Sequence, residues 1–174
     1  MGKRLWVERN KDGSWDAFSE DGAHIKFGKG RGQFTPGDLM KVALAGCAAL
    51  SSQFAVEHTL GDGKGAKIVV DGTYDADTDA YIGFDEQVVI DATDAGLSDE
   101  DAEKLADRVS RHIEKGCTVK HTYVEPTPVR MNVTVKHCAH VPHIVRGWLR
   151  FVGIAATLFY AVFISISVDL PYRH

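Results

Sequence analysis

The sequence predicts an α+β protein in which antiparallel sheet covers helices. Short runs alternate apolar and polar residues and are separated by Asp-Gly pairs, which supply the positive-φ position of hairpin turns. Two longer stretches read as helices, each opened by a hydroxyl residue and closed at a glycine, and the second repeats apolar residues at helical spacing. The segments run strand, strand, strand, helix, strand, strand, helix, strand, which is not the alternation of a parallel βαβ chain.

Residues 3–9 ("KRLWVER") and 14–18 ("SWDAF") form a hairpin around "NKDG", and Asp21–Gly22 turns the chain into a third strand at 23–27. Trp6, Trp15 and Phe18 are expected to pack this hairpin onto the core. "GKGRGQ" reads as a loop; it lacks the spacing of a phosphate-cradling Walker motif. Thr35 followed by Pro36 opens the first helix, because the hydroxyl caps free amides and the proline has none to leave unpaired. The helix runs to about Leu60 and stops at "GDGKG". Strands at 66–75 and 82–93 flank the acidic turn "DADTD". Ser98 opens the second helix with Asp101 three residues on; Leu105, Val109, His112 and Ile113 share one side, and Gly116 ends it. "CTVKHTY" can form a short helical turn, and residues 129–136 alternate as a last strand.

A chain of 174 residues allows one ordinary domain and a modest appendage. With 44% apolar and 25% charged residues it reads as globular, and a net charge of −4 argues against a nucleic-acid partner. Three scattered cysteines do not make a secreted disulfide framework, and "MGKRLWVERNKDG" lacks the apolar stretch of a signal peptide. These features place the body of the protein in a reducing cytoplasm.

After residue 137 the composition changes, dividing the chain into a domain at 1–137 and a tail at 138–174. Residues 151–168 carry no charge over eighteen positions, the lower limit for a membrane-spanning helix. Arg146 and Arg150 precede them and would keep that end in the cytoplasm. The tail reads as a membrane anchor, a helix docked on the core, or a non-native extension from a shifted reading frame.

The chemistry lies in "TPGDLMKVALAGCAALSS". Around Cys47 the helix carries almost only small residues, which let another backbone come close. Cys117 follows the glycine that ends the second helix, where unpaired amides at the start of a new helical turn would favour its thiolate. Two thiols that meet in space can run a cycle: one is oxidised to a sulfenic acid and the other resolves it to a disulfide.

"FTPGDLMKVALAGCAALSS" and "IEKGCTVKHT", with the "RLWVER" start, resemble the two cysteine motifs of the OsmC/Ohr family of thiol-dependent hydroperoxide reductases over about residues 3–137. The resemblance implies an OsmC-like fold, an intertwined homodimer with antiparallel sheets wrapped around long central helices. It implies that Cys47 is peroxidatic and Cys117 resolving. Organic hydroperoxides would be reduced to alcohols without metal or cofactor, and a dithiol, lipoyl-type or a small thiol, would regenerate the pair. The family's activating acid falls on Asp38 in "TPGDLM". Nine residues before Cys47 is roughly 13 Å along a helix and on its opposite face, so Asp38 can reach a thiol only across a dimer interface. For the family's arginine, Arg31 stands ahead of Lys26 and Lys29, because guanidinium pairs a carboxylate bidentately.

Other candidates carry less. His121 stands four residues after Cys117. His137, Cys138, His140 and His143 crowd together, but at no standard zinc-finger spacing. A thiol acyl hydrolase would need a base beside Cys47, and no histidine is placed for it. The main alternative to the peroxidase is a non-enzymatic dimer of the same fold that binds a small apolar ligand.

Overall fold

The computed structural model describes residues 2–135 and the backbone of residues 166–169. They fall into two compact units, Met1–Pro126 and Thr127–His174. In the first unit β1 (Leu5–Arg9), β2 (Trp15–Ser19) and β3 (His24–Phe27) form an antiparallel meander. Helix α1 (Pro36–Leu60) follows, then the antiparallel hairpin of β4 (Ala66–Asp75) and β5 (Ala80–Ile90). A 3₁₀ turn at Thr93–Ala95 leads into α2 (Asp99–Gly116) and the short α3 (Thr118–Val124).

Helix α1 begins where the sequence predicts it. The Thr35 hydroxyl accepts from the Asp38 amide at 3.2 Å, and the Asp38 carboxylate accepts from the Thr35 amide at 3.0 Å, a reciprocal capping box. It ends at Gly61, whose φ of 99° only glycine adopts readily. Strand β5 starts two residues earlier than expected because the acidic turn is tight. Asp75 accepts from the Asp77 amide and the Thr78 hydroxyl, and Asp79 takes a positive φ.

The core lies between α1, α2 and the β4–β5 hairpin. Leu44, Ala48, Ala55 and Val56 of α1 meet Leu105, Val109 and Ile113 of α2, and Cys117 closes the same cluster. Ile68, Val70, Phe84, Val88 and Ile90 cover it from the hairpin, at the period of two that places them on one face. His112, expected on this stripe, is only half-buried.

Helix α1 carries apolar residues on more than one side, and one such side is not covered within the chain. Leu50 and Phe54 are 75% and 70% exposed. The first sheet behaves likewise and corrects the expectation that Trp6, Trp15 and Phe18 pack onto the core. None of the three belongs to the core cluster, and Trp6 and Trp15 are exposed. Trp6 stacks instead on Phe18 across the β1–β2 register at 5.6 Å, and Phe18 on His24 at 5.0 Å. On the sheet's other face Leu5, Val7, Trp15 and Ile25 stand together, all exposed.

In the second unit β6 (Asn132–Val135) pairs antiparallel with β7 (Ile166–Asp169). The expected last strand is therefore shorter than predicted. The final residues of the uncharged 151–168 segment form strand rather than helix, as the alternation of β-branched and hydroxyl residues in Ile166, Ser167 and Val168 allows. Residues 136–165, with Arg146, Arg150, the Cys/His tract and most of the uncharged segment, lie outside the described residues.

Leu105 is nearly fully buried between the helices. Leu105→Ala should cost about 2–4 kcal/mol in urea denaturation, as lost transfer energy plus an unfilled cavity.

Candidate active site

Cys117 is the joint between two helices. Its amide donates to the Ile113 carbonyl at 2.9 Å and ends α2; its Sγ accepts from the Lys120 amide at 3.4 Å and begins α3. Gly116, just before it, lets α2 close on α1: a Cβ there would lie 3.3 Å from Ser51 Oγ. This juncture brings α3 over the middle of α1, where Cys47 stands half-buried beside the fully buried Cys117. The two are free thiols packed in one cluster and close enough to shift each other's acidity.

Their surroundings push them apart in acidity. Burial pushes the Cys47 thiol up, but hydrogen bonding from the Val119 amide, the Cys117 thiol, the Thr118 amide and the Ser51 hydroxyl outweighs it. Cys47 is thereby held below the ordinary thiol value. Burial raises Cys117; the Lys120 amide opposes this, while the Cys47 sulfur and the Glu86 carboxylate add to it. The structure thus corrects the expectation that Cys117 is the thiol favoured as thiolate. It caps α3 with its sulfur, but the first free amides of α3 point at Cys47.

Asp38 and Arg31 are not brought to this pair within the chain. The Asp38 carboxylate is taken up by the Thr35 cap and by Lys41 at 3.1 Å, and these hold its pKa down at about 2. Arg31 is exposed in the loop before α1 and forms no ion pair among the described residues. Lys26 pairs with Asp12 at 2.9 Å. The His121 ring meets the Glu114 carbonyl at 2.7 Å, tying α3 to the end of α2 rather than touching a thiol.

Three residues near the thiols were not singled out from the sequence. Ser51 stands one helical turn after Cys47. Lys120 gives its amide to Cys117 and its ammonium to Glu114. Glu86 sits on the otherwise apolar inner face of β5, between Phe84 and Val88. Its Oε1 is buried without a hydrogen-bond partner among the described residues, and burial raises its carboxyl pKa. The period-two pattern of "FDEQVVI" already placed a carboxylate among apolar residues, and that was the legible signal. Glu86 and Lys120 line a cavity of about 480 Å³ walled by Leu44, Tyr81, Phe84 and Tyr123. Gly37, beside Asp38, is where Tyr81 approaches α1: a Cβ there would meet its hydroxyl at 2.7 Å.

A thiol whose pKa is held down, beside a second one whose pKa is raised, can accept an oxidising equivalent and pass it on as a disulfide. Among the described residues no group of His, Cys, Asp and Glu is arranged to hold a metal ion.

No family model matches the chain. It is similar to three mycobacterial proteins: "Uncharacterized protein Rv2923c" and "Uncharacterized protein MT2992" of Mycobacterium tuberculosis and "Uncharacterized protein Mb2948c" of Mycobacterium bovis. Each is 34% identical over 132 residues, covering 75% of this chain and 95% of the relative. The chain belongs to one family with these proteins. Similar solved structures include an OsmC-like protein from Mycoplasma pneumoniae (14% identity, 71% of this chain and 88% of that one, TM-score 0.48). Another is an OsmC-like protein of unknown function, VCA0330, from Vibrio cholerae (13%, 70% and 93%, TM-score 0.49).

Alkylation by iodoacetamide followed across pH should show Cys47 reacting with a midpoint below the ordinary thiol value and Cys117 with one above it. Ser51→Ala should move the Cys47 midpoint up and Glu86→Gln the Cys117 midpoint down. Coincident profiles in the wild-type chain would contradict this account.

Proposed function

We propose that this chain is a two-cysteine thiol peroxidase of the OsmC/Ohr type, reducing organic hydroperoxides to alcohols in a reducing cytoplasm. The packing of two free thiols of opposite bias into one cluster is the observation that carries the reading. The Cys47 thiolate attacks the terminal peroxide oxygen, the O–O bond breaks, and the alkoxide leaves with a proton as the alcohol. Cys47 is now a sulfenic acid. Cys117 attacks its sulfur, losing a proton; the S–O bond breaks and water departs, leaving the disulfide. A dithiol, lipoyl-type or a small thiol, then reduces it by exchange and is itself oxidised. A thiolate is a strong nucleophile, so the protein's work is to stabilise and position it.

The working form in this reading is a homodimer. Each chain leaves two apolar faces uncovered, the outer side of α1 and one face of the first sheet. A second copy related by a two-fold axis supplies a cover for both, and closed symmetry stops the association there. Asp38 and Arg31 can then serve a thiol only from the other copy. A second reading, a dimer that binds a small apolar ligand without turnover, is favoured by the engagement of Asp38 with Lys41 rather than with a thiol.

Cumene hydroperoxide given to the full chain with Cys138→Ser should remove both remaining thiols, and a dithiol should restore them. Cys47→Ser should abolish the reaction and Cys117→Ser should stall it at the sulfenic acid. Thiols that survive excess hydroperoxide would refute the peroxidase and leave the binding module. For the assembly, Leu50→Asp should convert a dimer to a monomer in sedimentation; a wild-type chain that sediments as a monomer would refute the dimer.

A further inference from the structure

A second cavity, of about 530 Å³, lies along α2. It is lined by Ser51, Arg108, Arg111, His112, Lys115 and Gly116. Two of these are tied to the chemistry: the Ser51 hydroxyl bonds toward Cys47, and Gly116 precedes Cys117. The other four recur at i, i+3, i+4 and i+7 and so form one basic stripe on α2.

Local structure does not account for this stripe. Lys115 lies in the last turn, where the helix dipole favours a cation, but Arg108 is two turns further back. Like charges at this spacing repel and weaken a helix. Among the described residues none of Arg108, Arg111 or Lys115 forms an ion pair, although the chain carries an excess of acids and α2 itself begins with three. Hydrogen bonds already hold Cys47 below the ordinary thiol value. Positive charge is thus gathered in a cleft that shares Ser51 with the surroundings of Cys47.

We propose that this cleft is a recognition site for a small molecule bearing a carboxylate or phosphate, held by Arg108, Arg111 and Lys115 while its reacting end meets Cys47. The inference deepens the peroxidase reading and rests on it only for what that reacting end is. The anion belongs either to the hydroperoxide or to the dithiol that reduces the disulfide.

Two reagents with one reacting carbon and different charge test the site without any peroxide. Iodoacetate and iodoacetamide both form a C–S bond to Cys47 as iodide leaves; only the first is an anion. On the full chain, with the labelled peptide quantified by mass spectrometry, the iodoacetate-to-iodoacetamide rate ratio should fall about tenfold in Arg108→Gln/Arg111→Gln, as expected when two guanidinium partners of an anion are lost. Roughly 0.5 M salt should lower it in the wild-type chain, since such attraction is screened. Arg108→Lys/Arg111→Lys should keep most of it. A ratio that neither salt nor the glutamine substitutions move would overturn the proposal.

Pairs of acid and neutral ester hydroperoxides, and of dihydrolipoate and dihydrolipoamide, then identify the ligand. Loss of acid preference in the glutamine variant confined to the first pair names the hydroperoxide, and confined to the second names the reductant. Failure of the peroxidase reading would appear separately, as no hydroperoxide consumed by the wild-type chain, while the alkylation ratio still decides the anion site.

Discussion

The approach of Cys47 to Cys117 is the constraint to which the first unit is built. The residues are seventy apart in sequence, and neither helix alone brings them together. Leu105, Val109 and Ile113 seat α2 against α1, and the end of α2 then falls beside Ser51. Only there can Cys117 serve as the joint with α3, and only from there do the amides of Thr118 and Val119 reach Cys47. Apolar packing fixes the helices, the helices fix the amides, and the amides select which thiol carries the charge. A mere pair of buried cysteines would have no such polarity.

Most of the fold was legible because its signals are local. Thr35, Pro36 and Asp38 spell a helix start; Ser98 with Asp101 and the glycine of Gly116 spell another helix's ends. The alternation in β4 and β5 gave their inner face. Cys47 and Cys117 stood out for what surrounds them in sequence. Which of the two is the more acidic was not legible, since it depends on amides that arrive from another helix. Nor was the fate of the first sheet: alternation shows that a strand has an apolar face, not what covers it. The aromatic side chains there find one another instead of the core.

Charge is distributed with a similar division of labour. The capping acids of α1 and α2 satisfy helix ends, and Asp12, Asp21 and Asp38 are occupied by lysines nearby. The buried unpartnered oxygen of Glu86 and the basic stripe of Arg108, Arg111 and Lys115 stand apart from these local pairings. Glu86 bears on Cys117, and the stripe shares its cleft with Ser51, whose hydroxyl bonds toward Cys47. A buried carboxylate oxygen without a partner costs stability and marks where stability has yielded to something else.

The spacing at Gly116 has a consequence of its own. A side chain of even one carbon at that position would press on Ser51, the residue whose hydroxyl steadies Cys47. The interlock between the two helices is therefore tight, and any carbon added there requires Ser51 to give way. A single methyl next to Cys117 would act as a shim, moving one sulfur relative to the other without altering either.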